Sequence, residues 1–220
     1  MIRRPVATPR RGVGRPTAGQ DLRAALVAAT LRLLEQAGDP AAVTVAAIVA
    51  EVGCTPPTLY HYWPRREFLL REASAAGFAR FRRSQSHATV QATDPVDRIR
   101  RRGQAYLDFA FARPSLFRVL FLDRPLPGQP AANVEDPGQG LADLTADVSA
   151  AMAAGQLGPA EPVIVAVGLW AAVHGIAALW VATPELPHDL ARQVAATQTD
   201  ALLAGYSPHD GPHGSAGGGS

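Results

Sequence analysis

The sequence predicts an all-α fold of about nine helices, an N-terminal three-helix helix-turn-helix unit followed by a larger C-terminal helical domain. Three observations predict it. Apolar residues recur at three- and four-residue spacing along most of the chain, and no stretch keeps the two-residue alternation of a half-buried strand. Asp or Thr stands before several of these runs and Gly or Pro after them, the sequence punctuation of helix ends. The stretch from Thr44 to Leu70, TVAAIVAEVGCTPPTLYHYWPRREFLL, reads as two short helices joined by a glycine turn, with an arginine pair opening another.

Residues 1–19 hold Arg3, Arg4, Arg10, Arg11 and Arg15 among Pro and Gly, without apolar period, and are expected to form a flexible basic arm. Asp21 opens the first helix, on which Leu22, Leu26, Ala29 and Leu33 share a face until Gly38 and Pro40 stop it. Thr44 caps a second helix whose Val45, Ile48, Val49 and Val52 face inward, and Gly53 makes the turn. Thr55 caps the third; Pro56 and Pro57 are tolerated there because first-turn amides lack an intrahelical acceptor. A fourth helix is expected from Pro64 to about Ser84, with Phe68, Leu69, Ala73, Phe78 and Phe81 available for packing. Asp94 and Pro95 open a fifth, with Val96, Ile99, Gly103, Tyr106 and Ala110 on one face, and Arg113-Pro114 breaks it. PSLFRVLFL makes a short sixth helix, and Pro125, Pro127, Pro130 and Pro137 mark a loop. Further helices are expected at about 138–154, 160–183 and 187–205, then a disordered tail over 207–220. The division that follows is a helix-turn-helix domain at 20–66 and a regulatory and dimerisation domain at 67–206.

All 21 basic residues are arginines, and they are unevenly spread. Residues 1–102 carry 17 Arg against 8 acidic residues, whereas 103–220 carry 4 against 11. The basic half is therefore the one expected to meet a polyanion. Arg80, Arg82 and Arg83, and later Arg98 with Arg100, Arg101 and Arg102, read as exposed helix faces, the latter group alternatively as setting the linkage between the two domains. Cys54, the single cysteine, cannot close an intramolecular disulfide, and the basic start has no apolar signal segment, so the cytoplasm is the expected compartment. Val163–Thr183 carries no Asp, Glu or Arg and is long enough to span a bilayer. Its acidic flanks, Glu161 and Glu185, its central His174 and its small residues favour a helix buried in a core or subunit interface, and no membrane association is expected.

Chemistry concentrates in TPPTLYHYW. Thr55, Thr58, Tyr60, His61 and Tyr62 carry hydroxyls or an imidazole suited to phosphates and base edges, while Leu59 and Trp63 anchor the helix to the core. Arg66 is placed to grip a phosphate with its fork, and Thr44 presents a hydroxyl and first-turn amides to another. The run from Leu22 to Leu70 resembles the N-terminal domain of the TetR family of bacterial transcriptional regulators. The first helix ends at Gly38, and TLYHYWPRREFLL is similar to the family's Thr-Leu-Tyr-x-x-Phe-x-x-Lys-x-x-Leu pattern. The resemblance implies DNA-contact roles for Thr44, Thr55, Thr58, Tyr60, Tyr62 and Arg66. Pro57, His61 and, from the arm, Arg15 complete the candidate set. Trp63 stands where the family has Phe, and Arg66 where it has Lys. Pro56 occupies a position where a polar base-reader is frequent, which shifts readout toward Thr55, His61, the arm and DNA shape.

Trp170 with His174-Gly175 resembles a C-terminal domain of one TetR branch, named for its Trp-His-Gly motif. That resemblance implies a four-helix interface made by the last two helices and their symmetry mates, hence a homodimer on pseudo-palindromic double-stranded operator DNA. An effector pocket is expected among helices at 95–183, lined by Tyr106, Phe109, Phe117, Phe121, Leu144, Trp170 and His174, for a small apolar or amphipathic molecule. His174 lacks companions at metal-ligand spacing and reads more readily as a core histidine. No catalytic, metal or cofactor motif stands out. The expected function is a transcriptional repressor, not an enzyme, released from DNA by its effector. Two rivals stay open: a small helical enzyme using His174 and Tyr106 as acid–base groups, and a structural protein that binds DNA without sequence preference.

Overall fold

A computed structural model describes residues 18–122 and 137–208, and no strand occurs among them. Arg15 and the rest of the basic arm up to residue 17, the proline-containing loop at 123–136 and the tail from 209 lie outside the described residues. The helices are α1 (Ala18–Ala37), α2 (Val45–Val52), α3 (Pro56–Tyr62), α4 (Arg66–Thr89), α5 (Pro95–Ala112), α6 (Pro114–Phe117), α7 (Pro137–Ala153), α8 (Pro162–Ala182) and α9 (His188–Gly205). A π-helical turn, Arg118–Leu122, continues α6.

Local chemistry sets the first three helix boundaries. Thr44 sits in an extended conformation before α2, and its hydroxyl accepts from the Ala47 amide at 3.1 Å. Gly53 ends α2 in the left-handed region, φ 75°, where a side chain would be strained. Thr55 occupies the cap position of α3, but its hydroxyl pairs with that of Thr58 at 3.0 Å rather than with a backbone amide. The prolines at the first two positions of α3 leave fewer amides to satisfy.

Three boundaries differ from expectation. α1 begins at Ala18, before Asp21, which lies inside its first turn. α4 begins at Arg66, because Trp63 and Arg65 are both extended and Pro64 stays in the connection, and it runs past Ser84 to Thr89. Phe68, expected to pack, is instead 38% exposed, flanked by the guanidinium groups of Arg65 and Arg71.

Leu26, Leu34, Val43, Ile48, Leu59, Trp63, Leu69 and Leu70 form one core, closed by α1, α2, α3 and the start of α4. The indole N–H of Trp63 donates to Glu72 Oε2 at 2.8 Å, and Arg23 of α1 donates to the same oxygen at 2.7 Å. A Phe at 63 would lack this donor, so the tryptophan does more than fill space.

α5 is the hub of the second half, packed against α4, α7, α8 and α9. The arginine run on α5 is only in part the solvated face expected from sequence: Arg100 is exposed, whereas Arg98 and Arg102 turn toward α7. Arg98 and Arg102 both reach Asp147 of α7, at 2.9 and 2.8 Å, with the Arg102 side chain 12% exposed. Arg100 pairs with Asp200 of α9. Part of the basic half is thus neutralised by the acidic half, and the charge segregation of the sequence serves internal pairing as well as the surface.

Candidate DNA interface and internal cavity

α3 separates its two faces sharply. Leu59 is fully buried and Trp63 nearly so, while Thr55, Pro56, Pro57, Tyr60 and His61 are exposed, with Tyr60 at 47%. Thr58 and Tyr62 are half-buried, and Tyr62 lies between the rings of His61 and Trp63. Thr44 is exposed at the start of α2. Thr44, Thr55, Pro57, Thr58, Tyr60, His61 and Tyr62 thus come from two short, adjacent elements, and most lie on open surface. Arg66 is turned partly inward: its Nη1 donates to the Val43 carbonyl at 2.8 Å, bracing the entry to α2. Its neighbour Arg65, absent from the candidate set, is the more exposed cation. The doublet Arg65-Arg66 in the sequence could have signalled both.

A narrow cavity with roughly 50 Å³ of free space lies between α4, α5, α7, α8 and α9. Four expected lining residues, Tyr106, Phe121, Leu144 and Trp170, are on its wall. Phe109 and Phe117 stand behind it, 2% and 0% exposed, in edge-on contact with the lining residues Phe81 and Tyr106 respectively. His174 also lies behind the wall, and its Nδ1 is 2.8 Å from the Tyr106 hydroxyl. With the His174 proton on Nε2, its Nδ1 accepts from the Tyr106 hydroxyl. Burial pushes the Tyr106 pKa up and that of His174 down, consistent with two uncharged partners.

The lining also contains residues the sequence reading missed: Phe78, Phe81, Arg82 and Gln85 from α4, Arg102 from α5 and Thr199 from α9. Arg82, expected on an exposed face, has a buried Nε without a partner. Gln85, 4% exposed, has a buried Nε2 likewise unpaired. The signal for Gln85 was available: it continues the buried spacing Ala73, Gly77, Phe81 as a polar residue in an apolar register.

An exposed hydrogen-bonding helix held on a rigid helix-turn-helix core defines a DNA-binding protein, and the helical bundle behind it is the body of a regulator. Comparison with known proteins specifies the class. Residues 26–73 match the model described as bacterial regulatory proteins, tetR family, and residues 99–202 match the tetracyclin repressor-like C-terminal domain, a range that includes Trp170, His174 and Gly175. The chain belongs to the TetR family of DNA-binding transcriptional regulators. No curated protein matches it.

Among solved structures, a protein of unknown function from Rhodococcus sp. RHA1 is 24% identical, with a TM-score of 0.74 over 89% of this chain and 100% of that one. A TetR transcription regulator from Haloarcula marismortui ATCC 43049 is 21% identical, with a TM-score of 0.67 over 83% and 98%. The flavonoid-responsive regulator FrrA is 20% identical, with a TM-score of 0.59 over 86% and 99%. These likenesses concern the fold.

Proposed function

We propose that the protein is a cytoplasmic, homodimeric repressor, without enzymatic activity, that leaves a pseudo-palindromic operator when a small effector enters the cavity. In this reading residues 20–66 contact DNA and 67–206 bind effector and partner. The observation that carries it is the two-faced α3, which turns Thr55, Pro57, Tyr60 and His61 outward while Leu59 and Trp63 lock it to the core.

Support for a dimer comes from α8. This helix is apolar and long enough to cross a membrane, with mean hydropathy 2.0, yet one side packs on α5, α7 and α9. Its other side leaves Ile164, Val167, Ala171, Gly175 and Leu179 exposed, an uncharged stripe at three- and four-residue spacing. A side chain at Gly175 would touch nothing in this chain, so its bare backbone suits close approach by a second copy. One α3 reads only a few base pairs; a two-fold pair about 34–36 Å apart reads successive turns of the major groove.

Release follows from the small cavity. Binding sites for organic ligands are about 300–1,000 Å³, so an effector must push the walls apart. One wall is α4, through Phe78, Phe81, Arg82 and Gln85, and the other end of α4 adjoins α3. α4 also meets α6 closely: a Cβ at Gly77 would lie 3.3 Å from Leu116 and Leu120, beside the cavity residue Phe121. An effector therefore prefers the state with α4 displaced, the differential affinity that any ligand-driven shift requires. A coupling of about 1–3 kcal/mol lowers operator affinity roughly 5- to 150-fold.

The test is selection of fragments from genomic DNA by the purified protein, then titration on a recovered site while mass is read by sedimentation. The expected outcome is a palindromic consensus bound by a dimer. Affinity indifferent to sequence at fixed salt would reject the reading in favour of a structural DNA-binding protein.

A further inference from the structure

The cavity is apolar along most of its wall, with Phe78, Phe81, Tyr106, Phe121, Leu144 and Trp170, but α4 also brings Arg82 and Gln85 to it. Gln85 sits there 4% exposed with an unpaired amide nitrogen, one helical turn from Arg82, whose Nε is also buried and unpaired. A buried polar group normally has a partner, so two unmatched donors lining one cavity mark the place of a missing acceptor.

The charges agree. Arg102, the other lining arginine, is held by Asp147 at 2.8 Å and lies 3.8 Å from Asp143, and Asp147 also takes Arg98. Arg82 has no ion pair among the described residues. Among the described residues, three guanidinium groups in and beside the cavity thus face two carboxylates, one negative charge fewer.

We propose that the effector is a monoanionic carboxylate with an apolar or aromatic body, its oxygens taken by Arg82 and Gln85 and its body lying against the aromatic wall. A guanidinium beside an amide donor favours an ionised two-oxygen acceptor over a neutral one. The Tyr106–His174 pair does not compete, because each satisfies the other. This inference rests on the reading of the cavity as the effector site.

The experiment separates the two. The full-length protein is titrated by calorimetry with four probes sharing one chain, decanoate, decanamide, decan-1-ol and decylamine, and with 4-phenylbutyrate beside its primary amide. Carboxylates are expected to bind at least tenfold more tightly than the matching amides and alcohol, and the amine most weakly. Arg82→Gln and Gln85→Leu are each expected to reduce the carboxylate-to-alcohol ratio about tenfold while leaving alcohol affinity level or improved. That ratio is insensitive to a general loss of folding. Gly140→Phe fills the cavity, since a Cβ there lies 3.9 Å from the Phe81 ring in ordinary contact, and is expected to abolish binding of all probes. Equal affinity for carboxylate and alcohol, both lost in Gly140→Phe, overturns the anionic head but leaves the effector site in place. Binding that survives Gly140→Phe overturns the site and the inference together. An unchanged ratio in Arg82→Gln, or no binding of any carboxylate, overturns the inference.

Discussion

The DNA-facing end and the cavity are built in opposite ways. Every described candidate at the DNA end falls between Thr44 and Arg66, on two short helices and the ends that flank them. The cavity instead collects residues from Phe78 to Thr199, on five helices and the π-helical turn, across more than half of the chain. The first is a local surface raised on a small core, and the second exists only when the whole bundle has closed. The difference teaches where each site is vulnerable: the surface to single side chains, the cavity to anything that loosens packing.

Mutations can break or sharpen that contrast. The largest effect is expected from Leu59→Ala, which empties a fully buried position under the exposed face of α3. A cost of about 2–5 kcal/mol is expected, read from the urea midpoint, with operator binding lost. If operator affinity survived, the core beneath α3 would not be what presents it.

Next is Asp147→Ala on the cavity side. Arg98 and Arg102 would lose their shared carboxylate, leaving the nearly buried Arg102 with only Asp143 at 3.8 Å. Roughly 3 kcal/mol of stability should go, because an uncompensated buried charge costs more than the pair contributes. Asp147→Asn should recover part of it.

Tyr60→Ala should sharpen the contrast from the other direction. With Tyr60 47% exposed, unfolding is expected to move by no more than about 0.5 kcal/mol. Operator affinity should fall by about 1–2 kcal/mol, measured by fluorescence anisotropy. Equal losses in both assays would show that the ring is structural.

The smallest effect is a pH dependence in the bundle. Burial holds the His174 pKa below its usual 6.5, so the unfolded chain binds the proton more readily. This stability is fully present above pH 6.5, and it declines as the pH falls below that toward the folded-state pKa. A shallow drop in Tm between pH 7.5 and 5.5 should therefore be present in the wild type and reduced in His174→Gln. A wild-type Tm flat over that range would contradict a neutral His174 accepting from Tyr106.

The same contrast explains what could be read from the sequence. Helix spans and the inward side of α3 follow from capping residues, Gly53 and local spacing, so Thr44, Leu59 and Trp63 could be placed in advance. The aromatic residues of the bundle could be recognised as a group, but not sorted into wall and backing. Phe117 and Phe121 are four residues apart with their ring centroids 5.0 Å apart, yet only Phe121 reaches the wall while Phe117 is wholly enclosed behind it. The arginine run on α5 misled for a related reason: its partners Asp147 and Asp200 lie 45 or more residues away, and only the closed bundle brings them close.

One carboxylate oxygen of Glu72 holds both Arg23 and Trp63. That shared acceptor fastens α1 and the end of α3 to α4, so the reading head travels with the long helix instead of bending against it. From Gln85 to Arg66, α4 spans about 28 Å at the helical rise per residue, and a tilt of about 5° at the cavity carries its far end roughly 2.5 Å. In a two-fold pair such swings are opposed, and the gap between the two heads changes by about twice that, with the grip of each head on its own half-site left intact.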